Sequence, residues 1–175
     1  MIRRGLDNIY WATALLGAFF ILMILVLITI QVVGREFGVQ VKGTDDLTAW
    51  SVVAAGFLPL AYTFRTAGHI RVTLFVDRMR GTLEQVWGAA VLLLALFFTG
   101  YLAYSSIDMV HDSIRFGDLS QGLLTVPLWI PQISLPLGSL VLTIAIADDL
   151  IVLLAGGNPY RLAEARGVQI LSEQE

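Results

Sequence analysis

The chain has 175 residues, of which 57% are hydrophobic and 14% charged, and a formal net charge of −3. Soluble domains carry about a quarter charged residues, so a chain this apolar cannot cover itself in water, and a bilayer is its expected solvent. With no Cys and two His, disulfides, thiol redox chemistry and Cys-ligated metal are excluded, and ligands for haem or copper are few.

Three charge-free runs stand out in chain order, Ile9 to Val33, Leu47 to Phe64 and Gln85 to Ile107. A fourth, Leu119 to Ala147, opens with the polar, turn-rich LSQGLLTVP, so its span is placed at Pro127 to Ala147. A hydrocarbon core about 30 Å thick needs roughly 20 helical residues. The second run reaches that length by borrowing a turn from Gly43 to Asp46. None of the runs alternates with the period of a barrel strand. The predicted fold is an all-α integral membrane protein with four transmembrane helices, at about 9–33, 45–64, 85–107 and 127–147. They form one domain over 1–157, followed by a polar tail, 158–175. The first run is too long for a signal-peptide core and no A-x-A site follows it, so it is expected to be a retained anchor.

Each span opens near a Trp: Trp11, Trp50, Trp87 and Trp129. Anchoring at the membrane–water interface and packing in a core are both open readings, the first favoured by all four positions. Lys and Arg set the direction. Arg3, Arg4, Arg65, Arg71, Arg78, Arg80, Arg161 and Arg166 fall on one side, against Arg35, Lys42 and Arg115 on the other. The positive-inside rule then puts both termini in the cytoplasm, with the third connection, around Asp108, Asp112 and Asp118, facing outward.

In GTDDLTAW, Thr44 or Asp45 is expected to cap the second helix, where Asp45 and Asp46 suit the helix dipole. An ion or partner contact on the outer face is the alternative. The small residues Ala54, Ala55, Gly56 and Ala61 permit close helix approach, in this chain or with another, and Pro59 is expected to bend the helix. Between spans two and three, Val72, Phe75, Val76 and Met79 recur at helical spacing, flanked by Arg71, Arg78 and Arg80. That pattern predicts a short helix lying along the cytoplasmic interface. In VPLWIPQISLP, regular helix is expected from Trp129 or Pro131, with a bend near Pro136.

The spans as drawn hold no Asp, Glu, Lys, Arg or His between their ends. Buried charges in membrane segments cost about 2.5–3.5 kcal/mol and usually serve transport, so their absence argues against a proton-coupled exporter. His69 and His111 fall on opposite faces, which argues against a haem bundle. No nucleophile elbow, zinc motif, phosphate loop or nucleic-acid surface is present. No enzyme activity, cofactor or metal is expected. Four plain helices of this kind read as scaffold, with a stand-alone four-helix channel or self-associating transporter as the rival.

The order of motifs carries more. V-x-x-R in VVGR precedes an acidic pair, then come A-x-x-x-R-x-x-G-H-I-R-V from Ala61 to Val72 and P-L-W-I-P-x-x-x-x-P-L-G from Pro127 to Gly138. Over roughly residues 7 to 155 this resembles the small, four-helix membrane subunit (DctQ-like) of tripartite ATP-independent periplasmic (TRAP) transporters. One departure is Asp45–Asp46, where that family often carries Glu. The resemblance implies a bacterial or archaeal inner-membrane location and a periplasmic binding protein that delivers an organic anion, commonly a carboxylate. It also implies a large membrane subunit that holds the sodium and substrate sites and moves as an elevator, with the small subunit anchoring the fixed scaffold.

Candidate contacts to that partner or to lipid are Asp45, Asp46, Trp50, Arg65, His69, Arg71, Trp129 and Pro131. For His69, metal ligation and pH sensing are the minor readings. The favoured one is positioning, with Gly68 allowing a turn that Arg65 and Arg71 hold against lipid phosphates or the large subunit. Replacing both His69 and Arg71 by Ala is expected to weaken co-purification with the large subunit or reduce uptake; wild-type recovery and uptake would remove the role.

Overall fold

The computed structural model describes residues 2–39, 41–66 and 82–157. The predicted interfacial helix and both His69 and Arg71 lie outside the described residues. Six helices are described: α1 (Ile2–Glu36), α2 (Thr44–Phe57), α3 (Leu60–Arg65), α4 (Thr82–Phe116), α5 (Trp129–Gln132) and α6 (Ser134–Leu154). They make four units long and apolar enough to cross a membrane: α1, α2 with α3, α4, and α5 with α6. Among the described residues there is no strand, only an antiparallel bridge between Leu119 and Pro127.

Proline sets both interruptions. A proline ring clashes with the carbonyl four residues back and donates no hydrogen bond, so a helix breaks upstream of it. Span two yields at Leu58–Pro59 and resumes with Thr63 N donating to Pro59 O at 2.9 Å. Span four is interrupted at Ile133, about one turn upstream of Pro136, where a proline ring disrupts the helix, and Pro136 itself lies in the first turn of α6. The α1 and α6 ends share one stop. Gly38 and Gly156 take left-handed backbones, and Val39 N and Gly157 N reach back to Gly34 O and Val152 O at 2.8 and 2.9 Å.

The helices outrun the charge-free windows. At 1.5 Å per residue α1 and α4 are each about 50 Å long, against about 30 Å of hydrocarbon. Asp108 and Asp112 therefore belong to α4 rather than to the third connection, and Asp148 and Asp149 belong to α6.

Packing follows seams a few residues wide. Ser51, Ala54, Leu58, Ala61 and Arg65 are buried along span two, in alternating steps of three and four. Span four is the centre, because its two sides bury different sets. Val141 and Ala145 meet Tyr10 of α1 and Ala61 of α3. Ile146, Leu150 and Leu153 meet Leu92 of α4. The lateral order is α1, span two, span four, α4, and α1 and α4 share no packed face. This is an open row rather than a closed bundle.

Three buried serines along the row are satisfied within their own helices. The hydroxyls of Ser51, Ser106 and Ser139 donate to Leu47 O, Leu102 O and Leu135 O at 2.7, 2.6 and 2.8 Å. The side chains left at these contacts are small enough for close approach. Two helical glycines let α1 and α6 approach span two closely. A Cβ at Gly17 would sit 2.8 Å from Pro59 Cδ, and one at Gly138 would strike the Phe57 carbonyl.

Most of the α1 surface is left unburied. Only 6% of its most apolar window is buried, against 44% for span four. Leu15, Leu16, Phe19, Leu22 and Leu25 of α1, with Leu94, Phe97 and Phe98 of α4, present apolar surface outward, as lipid-facing helices do. From the glycine contacts, Gly138→Leu is expected to lower stability by about 1–3 kcal/mol through overpacking. Gly56→Ala, on an exposed face with open space around it, should be neutral. Thermal unfolding of the two variants in nanodiscs checks the contrast.

Candidate functional site: polar ties at the two ends of the row

Arg65 ends α3, and its side chain is 4% exposed. Its placement follows from the span-two seam, which carries the buried positions down to it. The guanidinium Nη1 donates to Asp148 Oδ2 of α6, in an ion pair whose carboxylate is 19% exposed. On its other edge Nη2 lies 3.4 Å from Asp7 Oδ1 of α1, a carboxylate that is 49% exposed. The guanidinium carbon stands 5.2 Å from the centroid of the Tyr10 ring, which is buried at 1%. One side chain of α3 therefore links its helix to both α1 and α6. Asp149, buried at 6%, follows Asp148 in α6.

Electrostatics explain the set. A charge taken out of water needs a partner of opposite sign in good geometry. A cation at the last turn of α3 also meets the negative end of that helix. The planar guanidinium suits the double demand, since its fork presents donors along two edges and its face stacks on an aromatic ring.

The opposite end of the row is tied by the acidic pair. Gly43, in a left-handed conformation, occupies the N-cap of α2 and makes no side-chain cap bond, so neither Thr44 nor Asp45 caps the helix. Instead Asp45 Oδ1 accepts from Gln31 Nε2 of α1 at 2.5 Å. Asp46 Oδ2 accepts from the Leu124 backbone N–H at 3.1 Å. The connection from α4 to α5 is thereby fastened to α2. Ser120 N and Leu128 N close that connection on Val126 O and Asp118 O, both at 2.9 Å, and Leu124 packs on Gly43.

Of the eight residues named from sequence, the structure turns Arg65, Asp45 and Asp46 into ties within the chain. Arg65 in particular is enclosed rather than offered to lipid phosphates. Trp50 is half-buried on α2, and Trp129 and Pro131 are half-buried in α5. Trp11 and Trp87 are 58% and 52% exposed. Sequence reading missed Asp7, Tyr10 and Asp148, having placed Asp148 beyond the end of span four. A signal for the pair was present, because two spans separated by an even number of crossings end on one side, so Arg65 and Asp148 reach the same depth.

These features define a four-span helical membrane protein whose ionic groups at both ends fasten its own helices together. The family of tripartite ATP-independent periplasmic transporters, DctQ component, matches residues 24–156, and the chain belongs to it. It is thus a component of a transport system and a multi-pass membrane protein. No curated protein matches the chain.

Arg65→Ala or Asp148→Ala leaves a charge without its partner and is expected to cost about 3 kcal/mol. Asp7→Ala removes a half-exposed partner and should cost at most about 1 kcal/mol. Unfolding of the three variants in nanodiscs, read side by side, checks the ranking.

Proposed function

We propose that the chain is the small permease subunit of a sodium-driven, binding-protein-dependent importer of organic anions, most consistent with carboxylates. In this reading it sits in a bacterial or archaeal inner membrane with both termini in the cytoplasm. It serves as a fixed scaffold for the large, elevator-type membrane subunit. The observation that carries the reading is the use of the polar groups. Arg65, Asp148, Asp7, Asp45 and Asp46 are engaged with other helices or loops of the same chain.

Scaffolding needs rigidity and a surface to offer, and both have support. Span two is held at each end by ionic or hydrogen-bonded ties and between them by the Gly17–Pro59 and Gly138–Phe57 contacts. The outer members of the row, α1 and α4, keep most of their apolar circumference for lipid and the large subunit. Orientation follows from the excess of Arg on the side of the Arg65 tie. The Asp46-fastened connection then faces the periplasm, where the binding protein arrives. Trp50, His69, Arg71, Trp129 and Pro131 are proposed contacts to the large subunit or to lipid headgroups.

The test is reconstitution. Proteoliposomes with this chain alone should show no sodium-gradient-driven uptake of a dicarboxylate or sugar acid, whereas adding the large subunit and the binding protein should restore it. Uptake by this chain alone would replace the scaffold with a self-sufficient four-helix transporter.

A further inference from the structure

We infer that the two edges of Arg65 do separable jobs: the Nη1 edge joins span two to span four through Asp148, while the Nη2 edge and the ring contact seat the start of α1. The unequal partners carry the argument. Asp148 is mostly enclosed, belongs to the central span, and lies beside helices that already share the Ala61, Val141 and Ala145 contact. Asp7 is half-exposed, stands at ion-pair distance, and belongs to a helix that buries little else.

What else holds α1 sharpens the point. Its less exposed side, from Leu6 and Tyr10 through Gly17 to Leu27 and Gln31, is one stripe on a mostly exposed cylinder. In hydrocarbon, apolar contact along such a line competes with equally apolar lipid tails, so it resists sliding and rotation weakly. Gln31–Asp45 secures the far end. At the near end Asp7 and the Tyr10 ring both meet the same guanidinium. Span two and span four have a further tie of their own, the notch at Gly138 that admits the Phe57 carbonyl. Weakening the fork should therefore release α1 first.

Lysine separates the two jobs. Its ammonium can keep a single ion pair with Asp148, but it has no second edge and no planar face. Because the chain has no Cys, spin labels can be placed uniquely. Asn8 and Ile151, both exposed, report α1 against α6. Gly56, exposed with open space around it, and Ile151 report span two against α6. In the full chain in lipid nanodiscs, Arg65→Lys should widen the Asn8–Ile151 distance distribution about twofold and leave Gly56–Ile151 at wild-type width. Asp7→Asn should widen the first pair alone. Asp148→Asn should widen the second pair, and the exchanged pair Arg65→Asp with Asp148→Arg should narrow it again.

Unchanged Asn8–Ile151 widths in both Arg65→Lys and Asp7→Asn overturn the inference, as does equal widening of the two pairs in Arg65→Lys. Should Arg65→Lys not yield folded protein, Asp7→Asn combined with Tyr10→Leu decides in its place, with widening of the first pair alone expected. Both edges lie within the chain, so the outcome does not depend on which partner covers α1.

Discussion

Helices in hydrocarbon gain little by hiding apolar side chains from lipid tails that are just as apolar, so packing shape and a few polar contacts decide how they are arranged. In this protein that constraint falls hardest on one guanidinium. Arg65 ends the buried seam of span two and is held by Asp148 of α6 and Asp7 of α1, against the Tyr10 ring. An enclosed cation cannot be left unmatched, so the depth and rotation of three helices are set relative to one another at this point. The acidic pair does the same at the other end, with Asp45 on Gln31 and Asp46 on the Leu124 amide. Between the ends, Gly17 and Gly138 allow α1 and α6 to close on the kink at Pro59 from two sides.

The resulting row has consequences for function. A closed four-helix bundle would surround an axis where a solute could bind. An open row, with α1 and α4 apart, encloses no such axis and instead leaves broad apolar faces. Arg65, Asp148, Asp7, Asp45 and Asp46 are engaged in ties, which fits a family whose members are one component of a tripartite system. The row is compatible with the proposed division of labour, in which the moving and binding parts belong to other components and this chain supplies a fixed edge.

Much of the fold was legible in the residues. Apolar length gave the four spans, and Pro59 and the Pro131–Pro136 pair marked the two interruptions. The second break falls at Ile133, one turn before Pro136, because a proline disrupts the turn ahead of it. The ties were harder to see. Arg65 looks like any cation at a membrane boundary, and its role depends on span two lying beside span four, a lateral order that hydropathy does not encode. Asp148 was lost because a charge-free window ends where the charge begins, although the helix continues to Leu154. Asp45 and Asp46 were noticed for their charge, yet their partners come from α1 and from a connection far along the chain. Motif order, by contrast, named the family correctly, since it depends on residues in sequence and not on who stands beside whom.

A scaffold must keep its shape while its partner works. Spin labels at Leu22 on α1 and Phe97 on α4, both exposed, span the full width of the row. In the assembled transporter their distance distribution should stay the same with and without sodium, substrate and binding protein. A shift of that distance between those conditions would show that the row itself moves during transport and would contradict its role as a fixed support.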